Sequence, residues 1–220
     1  MTLEYFGHPF SSYTWKGEIA LIEKQADYIF RQIGPDQPDN SAVQKTIWPL
    51  GKFPVLRDGD TDLFESSIII EYVDRLYPQA PMLIPADPDA ALQVRLMDRL
   101  FDNHVMSPMQ AVVNEHLPFL TQTPDPVRIE RAKSQLSAIY DWLEAHLPEG
   151  GWATGADFTL ADCAAAPSLF YADWVHPIPE SHAKLRAYRA RLLARPSVSQ
   201  VVEAARPYRA YFPLGAPDRD

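Results

Sequence analysis

Cysteine is almost missing from this chain: Cys163 stands alone among 220 residues. An internal disulfide and a Cys-x-x-Cys redox pair are both excluded, and Cys163, lying in an apolar run, reads as inert core. No apolar run approaches the roughly 20 residues that a membrane helix needs. The first residues lack the apolar stretch of a secretory leader, so the expected location is cytoplasmic, with no membrane partner. Positive charge is also short, since 20 Lys and Arg face 29 Asp and Glu, a formal net charge of −9. That balance argues against nucleic acid or an anionic bilayer as a partner. One local exception exists: the last 41 residues, from Glu180, carry eight Lys and Arg against four acids, which reads as a solvated helix face. The six histidines show no spacing that builds a metal site, so no metal is expected.

Hydrophobic residues make up 46% and charged residues 22% of the chain, an ordinary globular composition. The length suffices for one large domain or two small ones, and the 21 prolines fall at apparent element ends. Residues 3–6 are a short strand candidate. Residues 13–24 read as a helix, with Trp15, Ile19 and Ile22 on one face. A second strand covers 26–33, followed by a polar loop over 36–40 and a short helix over 41–48. Two brief strands, 53–57 and 61–64, flank Asp58-Gly59, a strong hairpin signal. Residues 68–77 form a helix stopped by Pro78.

Pro78 to Pro88 holds four prolines and no periodic pattern, which places a linker at 81–88 between domains at 1–80 and 89–220. Beyond it no strand is found. A long helix over 89–116 shows Leu92, Leu96, Leu100 and Val105 among its apolar positions and should kink at Pro108. Pro124-Asp125-Pro126 opens a helix reaching about His146, and residues 181–194 and 197–205 are further helices before a tail from Pro207. Between them, Thr159 is placed as an N-cap with Asp162 three residues on, a capping box with Asp in place of the usual Glu.

Binding chemistry concentrates in residues 51–67, Gly-Lys-Phe-Pro-Val-Leu-Arg-Asp-Gly-Asp-Thr-Asp-Leu-Phe-Glu-Ser-Ser. Pro54 stands at a strand start, where a residue without an N–H is tolerated. An X-Pro bond is the kind that adopts the cis form readily. A cis Phe53-Pro54 bond would turn the N–H and C=O of Phe53 outward, ready to pair with an extended peptide. The helix that Ser66 opens offers unpaired N–H groups and a positive dipole end, which suit a carboxylate. Glu65 beside it suits an ammonium. A serine cap next to an exposed acid is the plainer reading of the same residues.

The order Gly-Lys-Phe-Pro-Val-Leu, hairpin, Glu-Ser-Ser and an Ile-rich helix resembles the glutathione-binding half of a glutathione transferase. Gly155, Thr159, Ala161 and Asp162 match a second element of that family, Gly-x-x-x-[Ser/Thr]-x-Ala-Asp. The run from Ser11 to Leu21 is similar to the Ser-Ser-Cys-Ser-Trp-Arg-Val-Arg-Ile-Ala-Leu segment of zeta-type, serine-using members. The resemblance implies a thioredoxin-like α/β domain with a cis-proline, followed by an all-α domain. It further implies glutathione as co-substrate, a small electrophile as partner and a homodimer. By resemblance, Phe53 and Pro54 would hold the cysteinyl unit, Glu65 and Ser66 the γ-glutamyl end, and Lys52 would approach the glycine carboxylate.

Matching back from Trp15 puts the thiol-stabilising serine at Ser11, with Ser12 next in line. Tyr13 and Tyr5 stay open as alternatives, because other members use a tyrosine. Tyr13 replaces the zeta-type cysteine, and Gly17-Glu18 replaces Val-Arg, which weakens an isomerase assignment. Gly17 inside a helix costs ~1 kcal/mol relative to Ala and hints at a close approach by something unidentified. The second-substrate pocket is expected between the halves, with His8, Phe10 and Tyr13 facing His104, Met106 and Met109, although methionines of this kind are more often core. The expected activity is conjugation of glutathione to a small apolar electrophile. Alternatives are a glutathione-dependent isomerase, peroxidase or lyase, or a transferase-like binding module without chemistry.

Overall fold

The computed structural model describes residues 2–220. Strand β1 (Leu3–Gly7) runs parallel to β2 (Tyr28–Gln32), and helix α1 (Ser12–Glu23) joins them. After α2 (Pro38–Ile47), strand β3 (Val55–Asp58) pairs antiparallel with β1, and β4 (Thr61–Phe64) antiparallel with β3. The sheet order is β2-β1-β3-β4, and α3 (Ser66–Leu76) follows β4 directly. A mixed four-stranded sheet with this helix order is the thioredoxin-like arrangement. Central strand β1 is buried on both faces, with Leu3, Tyr5 and Phe6 at most 2% exposed. Leu21 of α1 joins Leu3, Tyr5 and Leu56 in the sheet core, while Trp15, Ile19 and Ala20 face the helical half.

That half contains α4 (Pro88–Leu100), α5 (Ser107–Glu115), α6 (Pro126–His146), α7 (Leu160–Val175), α8 (Ala183–Leu193) and α9 (Pro196–Ala205). Trp15, Ile19 and Ile70 belong to the same core as Phe101, Leu136, Tyr140 and Leu169, so the halves share one apolar interior. Their connection is pinned by a buried ion pair. Lys24 Nζ donates to Asp74 at 2.8 Å and to the carbonyls of Ala80 and Pro81, while Asp74 accepts the N–H groups of Leu83 and Ile84. The Thr159 N–H donates to Asp162 at 2.9 Å, and that buried carboxylate also receives Tyr188 at 2.6 Å and Ala153 N–H at 2.8 Å.

Several boundaries differ from expectation. Helix α2 begins at Pro38, inside the expected polar loop; proline at the first turn followed by Asp39 is a helix start in its own right. The β3–β4 register closes on Asp58 and Thr61, so the turn residues are Gly59-Asp60, with Gly59 at φ +58°. The kink expected at Pro108 is a π-helical stretch, Phe101–Met106, ending just before α5. On α4 the expected apolar stripe is not the buried one. Leu92 and Leu96 are 61% and 55% exposed, whereas Ala91, Val94, Met97 and Asp98 are buried.

Candidate active site

Two segments of the first half converge on one groove. The Phe53–Pro54 peptide bond is cis, and among the described residues neither the N–H nor the C=O of Phe53 has a hydrogen-bond partner. Facing it, β4 turns into α3 through Glu65, which adopts φ +69°, a conformation that few residues with a Cβ occupy. Glu65 is exposed and Ser66 is buried at the first turn of α3. Both, with Lys52, Phe53 and Pro54, line a cavity of about 600 Å³. The five residues expected to bind the tripeptide are thus brought together.

The opposite wall comes from the helical half and was not foreseen. Asp98, Arg99, Asp102, Asn103 and Gln110 line the same cavity. Beneath them Lys16 is fully buried, with Nζ 2.5 Å from Asp98, 2.6 Å from Asp102 and 2.8 Å from the Ser67 hydroxyl. Arg99 closes the cluster at 2.7 Å from each of the two aspartates. Burying two carboxylates is costly unless they are paired, and Lys16 with Arg99 supplies the pairing. One buried oxygen, Asp102 Oδ1, still lacks a partner among the described residues, and burial holds the Asp102 carboxyl above its ordinary range. A spacing of four put Asp98 and Asp102 on one helix face. That spacing, with a lysine beside Trp15, was the available signal in the sequence.

At the start of α1, Ser11 is the N-cap residue, and its Oγ accepts the Thr14 N–H at 3.3 Å. The cap uses a lone pair and leaves the hydroxyl proton free. Ser12 is buried in the first turn. Neither serine lines this cavity or a second of about 600 Å³; they lie in the chain between Tyr13, in the wall of the first, and His8, in the wall of the second. Phe53 lines both cavities. Burial, reinforced by Asp102, pushes the Tyr13 phenol up to about 12, so it remains a protonated donor at neutral pH. Tyr5 is fully buried and donates to the Thr14 carbonyl at 2.7 Å, away from the groove.

The second-substrate candidates are scattered. Phe10 packs edge-on against Tyr171 at 5.5 Å. Met106 and Met109, 0% and 3% exposed, are core, and His104 is exposed outside both cavities. Helix phase explains the difference: Asp102, Asn103 and Gln110 face the groove, and Val105, Met106 and Met109 face the interior. Among the described residues no group of three or more His, Cys, Asp and Glu is placed to hold a metal. No helix among them is long and apolar enough to cross a membrane.

Two family models match the chain: "Glutathione S-transferase, N-terminal domain" over residues 6–81 and "Glutathione S-transferase, C-terminal domain" over 126–191. Glutathione S-transferase 3 of Zea mays is 31% identical, covering 92% of this chain and 94% of the relative. A stringent starvation protein A homolog of Coxiella burnetii is 26% identical, covering 90% of this chain and 88% of that protein. Among solved structures, a glutathione S-transferase from Methylobacillus flagellatus with glutathione bound superposes with a TM-score of 0.78 at 25% identity, covering 91% of this chain and 98% of the other.

Proposed function

The chain belongs to the glutathione S-transferase family, and from that premise we propose that its groove holds glutathione along the Phe53 main chain while a hydroxyl at the start of α1 keeps the sulfur ionised. The protein is an enzyme, a transferase with glutathione as its co-substrate. The observation that carries the site assignment is the unpaired main chain of Phe53 in one cavity with Glu65 and Ser66. An extended peptide satisfies that main chain as an added strand does. The Ser66 end of α3 receives the γ-glutamyl carboxylate, and the exposed Glu65 receives the ammonium. Lys52 is left for the glycine carboxylate.

Thiolate formation needs a donor and no base. A free thiol titrates near ~8.5, so about 3% is ionised at pH 7. Lowering the pKa by about two units makes the anion the majority form, worth roughly 2.7 kcal/mol. Ser11 is the assigned donor, because its proton is unused and it stands at the positive end of α1. Tyr13 is the alternative donor. The thiolate then attacks a small electrophile, forming a C–S bond as the leaving group departs or a double bond opens. A second copy of the chain would cover the exposed apolar residues Ile68, Leu92 and Leu96, which sedimentation equilibrium tests.

The likeness to a starvation protein homolog favours one other reading, a module that keeps the fold without turnover. Titration calorimetry with glutathione, followed by turnover of an electrophile panel, separates the two. Micromolar to millimolar binding with turnover is expected. Binding without turnover selects the module, and no heat of binding overturns the site assignment.

A further inference from the structure

The turn between β1 and α1 holds His8 in a single tautomer. The Phe10 N–H donates to His8 Nδ1 at 3.1 Å. A backbone N–H can only donate, so Nδ1 carries a lone pair and the proton of the neutral ring lies on Nε2. Burial holds the imidazole below its ordinary 6.5, which keeps it neutral at pH 7. The backbone is anchored as well: the His8 N–H donates to Thr14 Oγ1 at 3.2 Å, and its carbonyl accepts the Ser11 N–H at 2.9 Å. Gly7 permits that closeness, since a Cβ there would lie 2.5 Å from the Thr14 methyl. On its other side the ring meets Tyr208 at 4.8 Å with a 70° interplanar angle. Among the described residues nothing accepts from Nε2, and His8 shares the second cavity with Phe53.

We infer that His8 Nε2–H is a fixed hydrogen-bond donor for an oxygen of the second substrate, making α,β-unsaturated ketones and aldehydes better electrophiles here than simple alkyl halides. The inference rests on the glutathione reading above, which places the sulfur at Phe53. The glutathione thiolate forms the C–S bond at the β carbon, and the π pair moves through the α carbon onto the carbonyl oxygen. That oxygen gains charge while receiving the His8 hydrogen bond, and the imidazole keeps its proton. The proton that the thiol released to water returns through solvent to the α carbon. A donor already aimed where charge develops needs no reorganisation during the reaction. His8 is on this account a specificity-determining residue, and the second-substrate site prefers acceptor oxygens over purely apolar groups.

Two conjugates of equal length test this without requiring turnover: S-(3-oxobutyl)glutathione and S-butylglutathione, titrated calorimetrically beside glutathione itself. The wild-type protein is expected to favour the ketone by about ten-fold, equivalent to about 1.4 kcal/mol. His8→Phe should abolish that ratio, while His8→Gln, which keeps an N–H, should retain most of it. Glutathione affinity in each variant reports whether the turn survives. Equal ratios in wild type and His8→Phe, with glutathione still bound, overturn the inference alone. If the wild-type protein binds no glutathione, the site reading fails and this inference with it.

Discussion

The Tyr5 hydroxyl occupies the space where residue 17 would carry its side chain: a Cβ on Gly17 would lie 2.3 Å from that oxygen. Tyr5 cannot swing aside, because it is fully buried on the central strand and tied to the Thr14 carbonyl. This close approach accounts for a glycine in mid-helix and seats α1, with Ser11 at its tip, on the sheet.

Gly17→Ala should therefore destabilise the protein, although alanine favours a helix by ~1 kcal/mol. Overpacking of a buried contact costs about 1–3 kcal/mol, and the ring offers no relief. Removing the oxygen in a Tyr5→Phe/Gly17→Ala double variant should recover at least half the loss in urea unfolding. A single variant as stable as wild type would show that the contact is soft.

Ser11→Ala should lower turnover about ten-fold or more, on the order of 1.4 kcal/mol, with little change in glutathione affinity. Because Ser11 also caps α1, the same change should cost ~1 kcal/mol of stability. Tyr13→Phe should retain most turnover. If the two results are reversed, the phenol is the donor and the serine only a cap.

Lys24→Met should cost about 3–5 kcal/mol, the penalty for leaving a buried carboxylate without its cation. Asp74 would still hold the Leu83 and Ile84 N–H groups, but without the ammonium that neutralises it. Urea unfolding at pH 8 reads the loss. A loss below about 1 kcal/mol at pH 8 would rule out a structural role for the pair.

Glu18 provides a pH signature. Burial raises its carboxyl from 4.5 to about 7, opposed by the Tyr28 hydroxyl that donates to it at 3.0 Å. The folded state thus binds a proton more tightly than the unfolded state. Its stabilising effect is complete below 4.5 and is lost as pH rises through about 7. With Glu18 itself only partly buried and solvent screening part of the charge, the loss should be about 1–2 kcal/mol. Glu18→Gln keeps an acceptor for Tyr28 and should flatten the dependence of Tm on pH between 5 and 8. An unchanged slope would sink the assignment.

Local signals carried most of what was legible in advance. The Gly51–Ser67 run announced its strands, its charged helix tip and, to within one residue, its turn, because each depends on neighbours a few residues apart. The Thr159–Asp162 box was readable for the same reason. Helix α4 was not. Apolar spacing chose Leu92 and Leu96 for the interior, and the structure buries Asp98 and Asp102 instead.

By itself, then, the amino-acid order determined the element sequence and the residues of one groove wall. The other wall waited on tertiary structure, because an aspartate faces inward only where donors or a cation meet it, and the cation for Asp102 is Lys16, 86 residues away. Whether a carboxylate lies in solvent or in an interior is set by a partner that only folding brings near.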